Sequence, residues 1–257
     1  MASYFITGTS KPSGLGLGLV KELVSRPASD ISIIFAVVRS DSEELNKVVA
    51  SSQGRVQVVK ADVTDAESVK KAAATVEESL GGRGLDVVIN NVGAQPFTLN
   101  GIETMEVDVL ESTFRTNVTS AHLVTSAMLP LLRKGSLKKV VNVSSTVGSI
   151  ALAPGYSHVP VPAYTITKAA LNMLTKQYAL SLGKEGFTVI SISPGWVKTE
   201  LGGGSIADLE VNVSVKACLN IINKADKESN GQFLDVRVPG FENSPSPNKY
   251  LGGEVPW

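Results

Sequence analysis

Tyr164 and Lys168, in the run YTITK, are the pair best suited to proton chemistry. On a helix a spacing of four puts phenol and ammonium on one face, close enough for the positive charge to favour phenolate. The other tyrosines, Tyr4, Tyr156, Tyr178 and Tyr250, have no lysine at that offset. A phenol titrates near ~10 on its own, so acid or base work near neutral pH requires such help. The same residues would also serve as an exposed pair worth about a few tenths of a kcal/mol.

Two further groups could join them. In VVNVSSTVG, residues 140–148, Ser144 and Ser145 follow a candidate strand at the sheet edge from which the Tyr164 helix should start. A hydroxyl there can hydrogen-bond a substrate carbonyl oxygen, and a strand-end turn accounts for Ser-Ser-Thr equally. Asn117 lies in a long helical stretch that disfavours asparagine, and reads either as a functional group or as an exposed polar position. Near the start, FITGTSKPSGLGLGLV (5–20) looks like a nucleotide-binding turn, although the spacing G-x-G-x-x-G fails in it.

These groups need a scaffold, and the chain supplies an alternating one. Short β-rich apolar runs at 4–7, 31–38, 55–59, 85–90, 139–144, 187–193 and 232–236 give seven candidate strands. Helical patterns at 14–26, 42–52, 65–80, 106–134, 163–183 and 211–223 lie between them. Such alternation means β-α-β units and a parallel sheet covered on both faces, in agreement with strands that read as unbroken apolar runs. Ligands bind such sheets at the carboxyl ends of the strands, so the residues just after each run matter most.

Composition narrows the classes. The chain has 257 residues, 43% hydrophobic, with 24 basic and 24 acidic side chains and no charged block. That balance argues against nucleic acid, which is bound through accumulated positive charge. One cysteine, Cys218, and two histidines build neither an internal disulfide nor a structural zinc site. No segment reaches the roughly 18 apolar residues of a membrane span, and MASYFITG is no secretory signal, so the expected location is the cytoplasm.

Asn117, VNVSS, YTITK, DVVINNVG (86–93) and SPGWVKT (193–199), in their order along the chain, together resemble the short-chain dehydrogenase/reductase family. The resemblance spans nearly the whole sequence. It implies a single Rossmann-type doubly wound α/β domain over 1–257, with a seven-stranded, mainly parallel sheet and helices on both faces. Position by position, Tyr164 matches the family's proton donor, and Lys168 the lysine that lowers its pKa and binds the nicotinamide ribose. Ser145, second of the SS pair and three residues before Gly148, matches the catalytic serine, and Asn117 the asparagine that holds a water behind the lysine. Metal has no part in this set.

The resemblance also implies a nicotinamide cofactor. Its T-G-x-x-x-G-x-G turn is met by Thr7-Gly8 and Gly14-Leu15-Gly16 with two extra residues between, so that Gly8, Thr9, Ser10, Lys11, Gly14, Leu15 and Gly16 form a lengthened cradle. Pro12, lacking an N–H, cannot donate there, and Gly18 is expected to pack on the sheet. Asp62 and Val63 match the adenine contact, with a helix cap as the alternative for Asp62. Asn91, Val92 and Gly93 stand where the family has N-A-G, and Pro194, Gly195, Val197 and Thr199 face the nicotinamide. After strand two stands Arg39 where NAD enzymes carry an acid, which favours NADP(H), with NAD(H) as the alternative.

The nineteen-residue interval from Ser145 to Tyr164 exceeds the family's usual one. Substrate loops are therefore expected at about 149–163, which contains Tyr156 and His158, and at 198–210, where Gly202–Gly204 suit a mobile flap. PGWVKTELGG, the late GQFLD and the terminal PW look most like the branch of bacterial C-factor proteins and fungal norsolorinic-acid-type ketoreductases. The function this implies is NADPH-dependent reduction of a ketone or aldehyde, an aromatic or polyketide-like substrate fitting the branch. The alternatives are an NAD(H)-dependent alcohol dehydrogenase and a non-catalytic dinucleotide-binding signalling protein. The family also implies a homodimer or homotetramer built on helices 106–134 and 163–183. The tail from Phe241 is too rich in proline and glycine for a helix, and Trp257 is open to the substrate site, a neighbouring subunit or plain surface packing.

Overall fold

A computed structural model describes residues 1–243 and 248–257. In these residues eight strands form one sheet: β1 (Ala2–Thr7), β2 (Ile31–Val38), β3 (Val56–Lys60), β4 (Val87–Asn90), β5 (Lys139–Val143), β6 (Thr188–Ser193), β7 (Phe233–Arg237) and β8 (Leu251–Glu254). The order is β3-β2-β1-β4-β5-β6-β7-β8. Seven strands run parallel, and β8 is antiparallel to β7, with Leu234 opposite Glu254 and Arg237 opposite Leu251. The sheet thus has one strand more than expected. The tail residues LGGE pair through the backbone alone, with Gly252 and Gly253 at positive φ, so no apolar pattern marks the strand.

Among the described residues seven α-helices cover it: α1 (Leu15–Val24), α2 (Glu43–Ser51), α3 (Ala66–Leu80), α4 (Val107–Phe114), α5 (Ser120–Lys134), α6 (Pro162–Leu182) and α7 (Val211–Lys224). Alternate residues of β2 explain its unbroken apolar run. Ile34, Ala36 and Val38 pack with Leu17 and Leu19 of α1 and Leu219 of α7, while Ile33, Phe35 and Val37 pack with Val76 of α3 and Met128 of α5. Gly18 serves a different contact from the one expected. A Cβ on it would press on Val211 and Val215, so it brings α1 against α7 rather than against the sheet.

The expected helix over 106–134 is α4 and α5 joined by one π-turn, Arg115–Thr119, with Asn117 inside it. Such turns insert a residue into the helical ladder and recur at functional sites. The carboxyl ends of β1 and β4 diverge at the reversal of strand order, the place where sheets of this type hold ligands. Among the described residues no helix is long and apolar enough to cross a membrane.

Candidate active site

Helix α6 starts with Pro162 in its first turn, where a missing N–H costs nothing, and carries Tyr164 and Lys168 inward. Both are buried, at 7% and 3% exposure. Lys168 Nζ donates to Val143 O at 2.7 Å and lies 5.3 Å from the centre of the Tyr164 ring. The Ser145 side chain stands beside the Tyr164 phenol and favours its ionised form. Burial pushes the phenol up to about 12, with Ser145 acting the other way and more weakly, and the same cause brings the Lys168 ammonium down to about 7. Desolvation disfavours the charged form of each group, and the lysine is not among the causes that act on the phenol. At neutral pH the phenol keeps its proton and can give it to a developing oxyanion.

The two serines divide sharply. Ser144 Oγ donates to Asn172 Oδ1 of α6 at 2.7 Å and is fully enclosed, whereas Ser145 is half-buried and acts on the phenol. Gly148 is required behind them. A Cβ there would lie 2.6 Å from Lys168 Cβ, so glycine lets the serine turn rest directly on α6. Asn117 uses its whole side chain: Oδ1 accepts from Ala94 N at 2.7 Å, and Nδ2 donates to Ala94 O and Thr167 Oγ1 at 3.0 and 2.9 Å. It fixes the segment after β4 to α6. Gly93 faces both partners, since a Cβ on it would lie 3.6 Å from Asn117 Oδ1 and from Lys168 Nζ.

The glycine turn has the features of an anion cradle. Gly14 caps α1 and no side chain does, so the first-turn amides are left for an anion. A Cβ on Gly16 would fall against the Gly8 carbonyl, and Gly8 takes φ +73°, so the turn closes only with glycine at both places. Asn91 Nδ2 donates to Thr7 O at 2.8 Å, and Thr7 Oγ1 accepts from Asn91 N and Val92 N. Thr9 is held by Val37, its N and Oγ1 both donating to Val37 O at 3.1 and 3.0 Å. The two extra residues bring the turn out to Lys11, whose exposed ammonium pairs with Glu200 at 2.9 Å. These glycines and free amides fit a dinucleotide pyrophosphate.

Around the turn, Arg39 is exposed at the end of β2, with Ser10 half-buried beside the cradle. Thr64 donates to Asp62 Oδ1 from both N and Oγ1, and these bonds, with lesser help from Arg39 and Arg115, hold the carboxyl below the usual range. Asp65 rather than Asp62 caps α3, accepting from Ser68 N at 2.8 Å. Val63 is buried nearby. Beyond β6, Gly195 takes φ +81° against Leu209 and Tyr250, Val197 bridges Leu209, and Thr199 Oγ1 accepts from Gly202 N at 3.0 Å. Ser214 Oγ donates to Pro194 O at 2.7 Å.

Sequence reasoning missed Asn172 and Asn248 and the parts played by Thr7 and Tyr250. All four act through long-range hydrogen bonds that no local pattern announces. Trp257 packs on Phe233 and under Lys176, and its carbonyl accepts from Ala151 N at 3.0 Å.

Residues 8–226 match the family model described as enoyl-(acyl carrier protein) reductase. The chain is 38% identical over 205 residues to the short-chain dehydrogenase/reductase AacuF of Aspergillus aculeatus, covering 77% of this chain and 74% of that protein. It is 36% identical over 174 residues to C-signal of Myxococcus xanthus, covering 67% and 93% respectively. An NADPH-bound carbonyl reductase from chicken fatty liver superposes with a TM-score of 0.82 at 31% identity, over 91% of this chain and 96% of that one. Motif order, fold and relatives converge, and the chain belongs to the short-chain dehydrogenase/reductase family of NAD(P)-dependent oxidoreductases.

Proposed function

We propose that the protein is an NADPH-dependent carbonyl reductase acting on ketones or aldehydes. The observation that carries the reading is the buried Tyr164 phenol, with Ser145 beside it and Lys168 behind it. NADPH, when bound, supplies the hydride that its nicotinamide C4 gives to the carbonyl carbon. Ser145 positions the substrate oxygen, Tyr164 protonates it, and Lys168 supplies positive charge beneath the phenol and binds the nicotinamide ribose. Asn117 takes the relay position behind the lysine. Gly8, Gly14, Leu15 and Gly16 would hold the pyrophosphate, with Ser10 and Lys11 at its side. Asp62 and Val63 would border the adenine, Asn91 to Gly93 the ribose, and Pro194, Gly195, Val197 and Thr199 the nicotinamide.

Preference for NADPH rests on Arg39, whose fork of donors suits a 2′-phosphate better than a hydroxyl. The relative from chicken liver is described as NADPH-bound, which supports the same choice. Exposed apolar side chains on the segments leaving the catalytic edge, Phe97, Leu152, Trp196, Leu201 and Ile206, favour a substrate with an apolar or aromatic body. The NAD(H) alcohol dehydrogenase and the signalling protein are the alternatives. NADPH consumption followed across aldehydes, diketones, ketoesters and aromatic ketones tests the reading: oxidation with some of them is expected. Tight NADPH binding without oxidation of any would favour the signalling protein.

We place the protein in the cytoplasm as a homo-oligomer. Ile166, Met173 and Leu180 stand seven apart on α6 and are exposed, as are Val107 and Phe114 on α4, which gives a second copy an apolar stripe to cover. Met173→Glu is expected to lower the molar mass measured by light scattering.

A further inference from the structure

The carboxy-terminal segment 248–257 touches both expected substrate loops. Tyr156 Oη, in the loop 149–163, donates to Asn248 Oδ1 at 3.2 Å and lies 3.0 Å from Thr146 Oγ1, the neighbour of Ser145. Asn248 Nδ2 donates to Asp208 Oδ2 at 3.4 Å. Tyr250 Oη donates to that same oxygen and accepts from Trp196 N. Asp208 N in turn donates to Trp196 O, which closes the segment 196–209 on itself. Further along, Ser149 Oγ donates to Pro256 O and Ala151 N to Trp257 O, while the Trp257 ring rests on Phe233. One line of hydrogen bonds therefore runs from the flap through Asp208, Asn248 and Tyr156 to the turn that carries Ser145.

We infer that Tyr156 is a positioning residue: its hydroxyl ties the Ser145 turn to the tail, and the tail couples that turn to the 196–209 flap. The inference rests on the reductase reading for its kinetic part only. A serine that must meet both a phenol and a substrate oxygen needs its backbone fixed, because small misplacements are costly in rate. The Ser145 turn is short, Thr146–Gly148, and Gly148 N closes it on Ser145 O at 2.9 Å. Tyr156 adds the outer restraint, and it lies within the lengthened interval between Ser145 and Tyr164.

Tyr156→Phe, Asn248→Ala and the double variant test this with the full chain. Tyr156→Phe is expected to lower kcat about tenfold, the effect of one hydrogen bond to a fixed group, with NADPH affinity and the KM for carbonyl within about twofold of native. The double variant should be no worse than the weaker single one by more than about twofold, because both break one line. Hydrogen exchange should rise in Asn248→Ala over both 145–156 and 196–209. An unchanged kcat in Tyr156→Phe, a raised carbonyl KM at constant kcat, or multiplying losses in the double variant would overturn the positioning role. Faster exchange confined to 248–257 would overturn the coupling. If the native protein reduced no carbonyl, the reductase reading would fail, and the exchange measurement would still decide the linkage.

Discussion

Lys168 Nζ lies 5.3 Å from the centre of the Tyr164 ring, and burial moves the two groups in opposite directions, the amine down to about 7 and the phenol up to about 12. Reduction requires a protonated phenol and is favoured by a charged lysine. Only the lysine changes state across the neutral range. We expect kcat/KM for carbonyl reduction to be level at acid pH and to fall as pH rises through about 7. A profile that climbs from pH 6 to 9 would contradict this.

The same shift has a consequence for stability. With a folded value of about 7 and an ordinary value of 10.5, the unfolded chain binds more protons at Lys168 between these limits, so the native protein gains stability as pH rises through that window. Lys168→Met removes the buried amine. Its melting temperature relative to native should be highest below pH 7 and should lose that advantage toward pH 10; a difference independent of pH would count against the burial argument.

Adjacent serines should fail in different ways. Ser145→Ala is expected to lower kcat by about 10²- to 10³-fold at nearly native stability, the loss found for one oxyanion donor. Ser144→Ala leaves Asn172 Oδ1 without the Ser144 donor and should cost about 1–3 kcal/mol in denaturant unfolding while most turnover survives.

Cofactor choice should follow Arg39. Arg39→Asp is expected to weaken NADPH binding about ten- to hundredfold, the worth of a charged hydrogen-bonded contact, and to leave NADH binding level or stronger. Calorimetric titration of both cofactors checks it, and a native preference for NADH would reverse our assignment of Arg39.

Much of this was legible because buried parallel strands write themselves as apolar runs: β2 appears in the sequence with its observed limits, Ile31–Val38. The proximity of Tyr164 and Lys168 follows from helical spacing alone. Three features were not legible, each for a physical reason. The π-turn at Asn117 has no compositional mark, since it is one displaced hydrogen bond within an otherwise ordinary helix. Strand β8 is built from Leu-Gly-Gly-Glu and holds by backbone pairing. The links from Asn248 and Tyr250 to Asp208 span about forty residues of chain, and only the folded sheet brings them together. The resemblance picks Ser145 from the serine pair, and the bond from Ser144 to Asn172 gives the other serine its separate place; residues 244–247 of the proline-rich tail lie outside the described structure.

The central claim is that Tyr164 gives the proton. Tyr164→Phe removes one hydroxyl from a buried ring and leaves the glycine turn untouched, so the most direct measurement is its steady-state carbonyl reduction alongside its NADPH affinity. We expect turnover to fall by about 10²- to 10⁴-fold, the range for a positioned general acid, with the NADPH dissociation constant near native. A purified Tyr164→Phe protein that reduces carbonyls at the native rate would contradict the account.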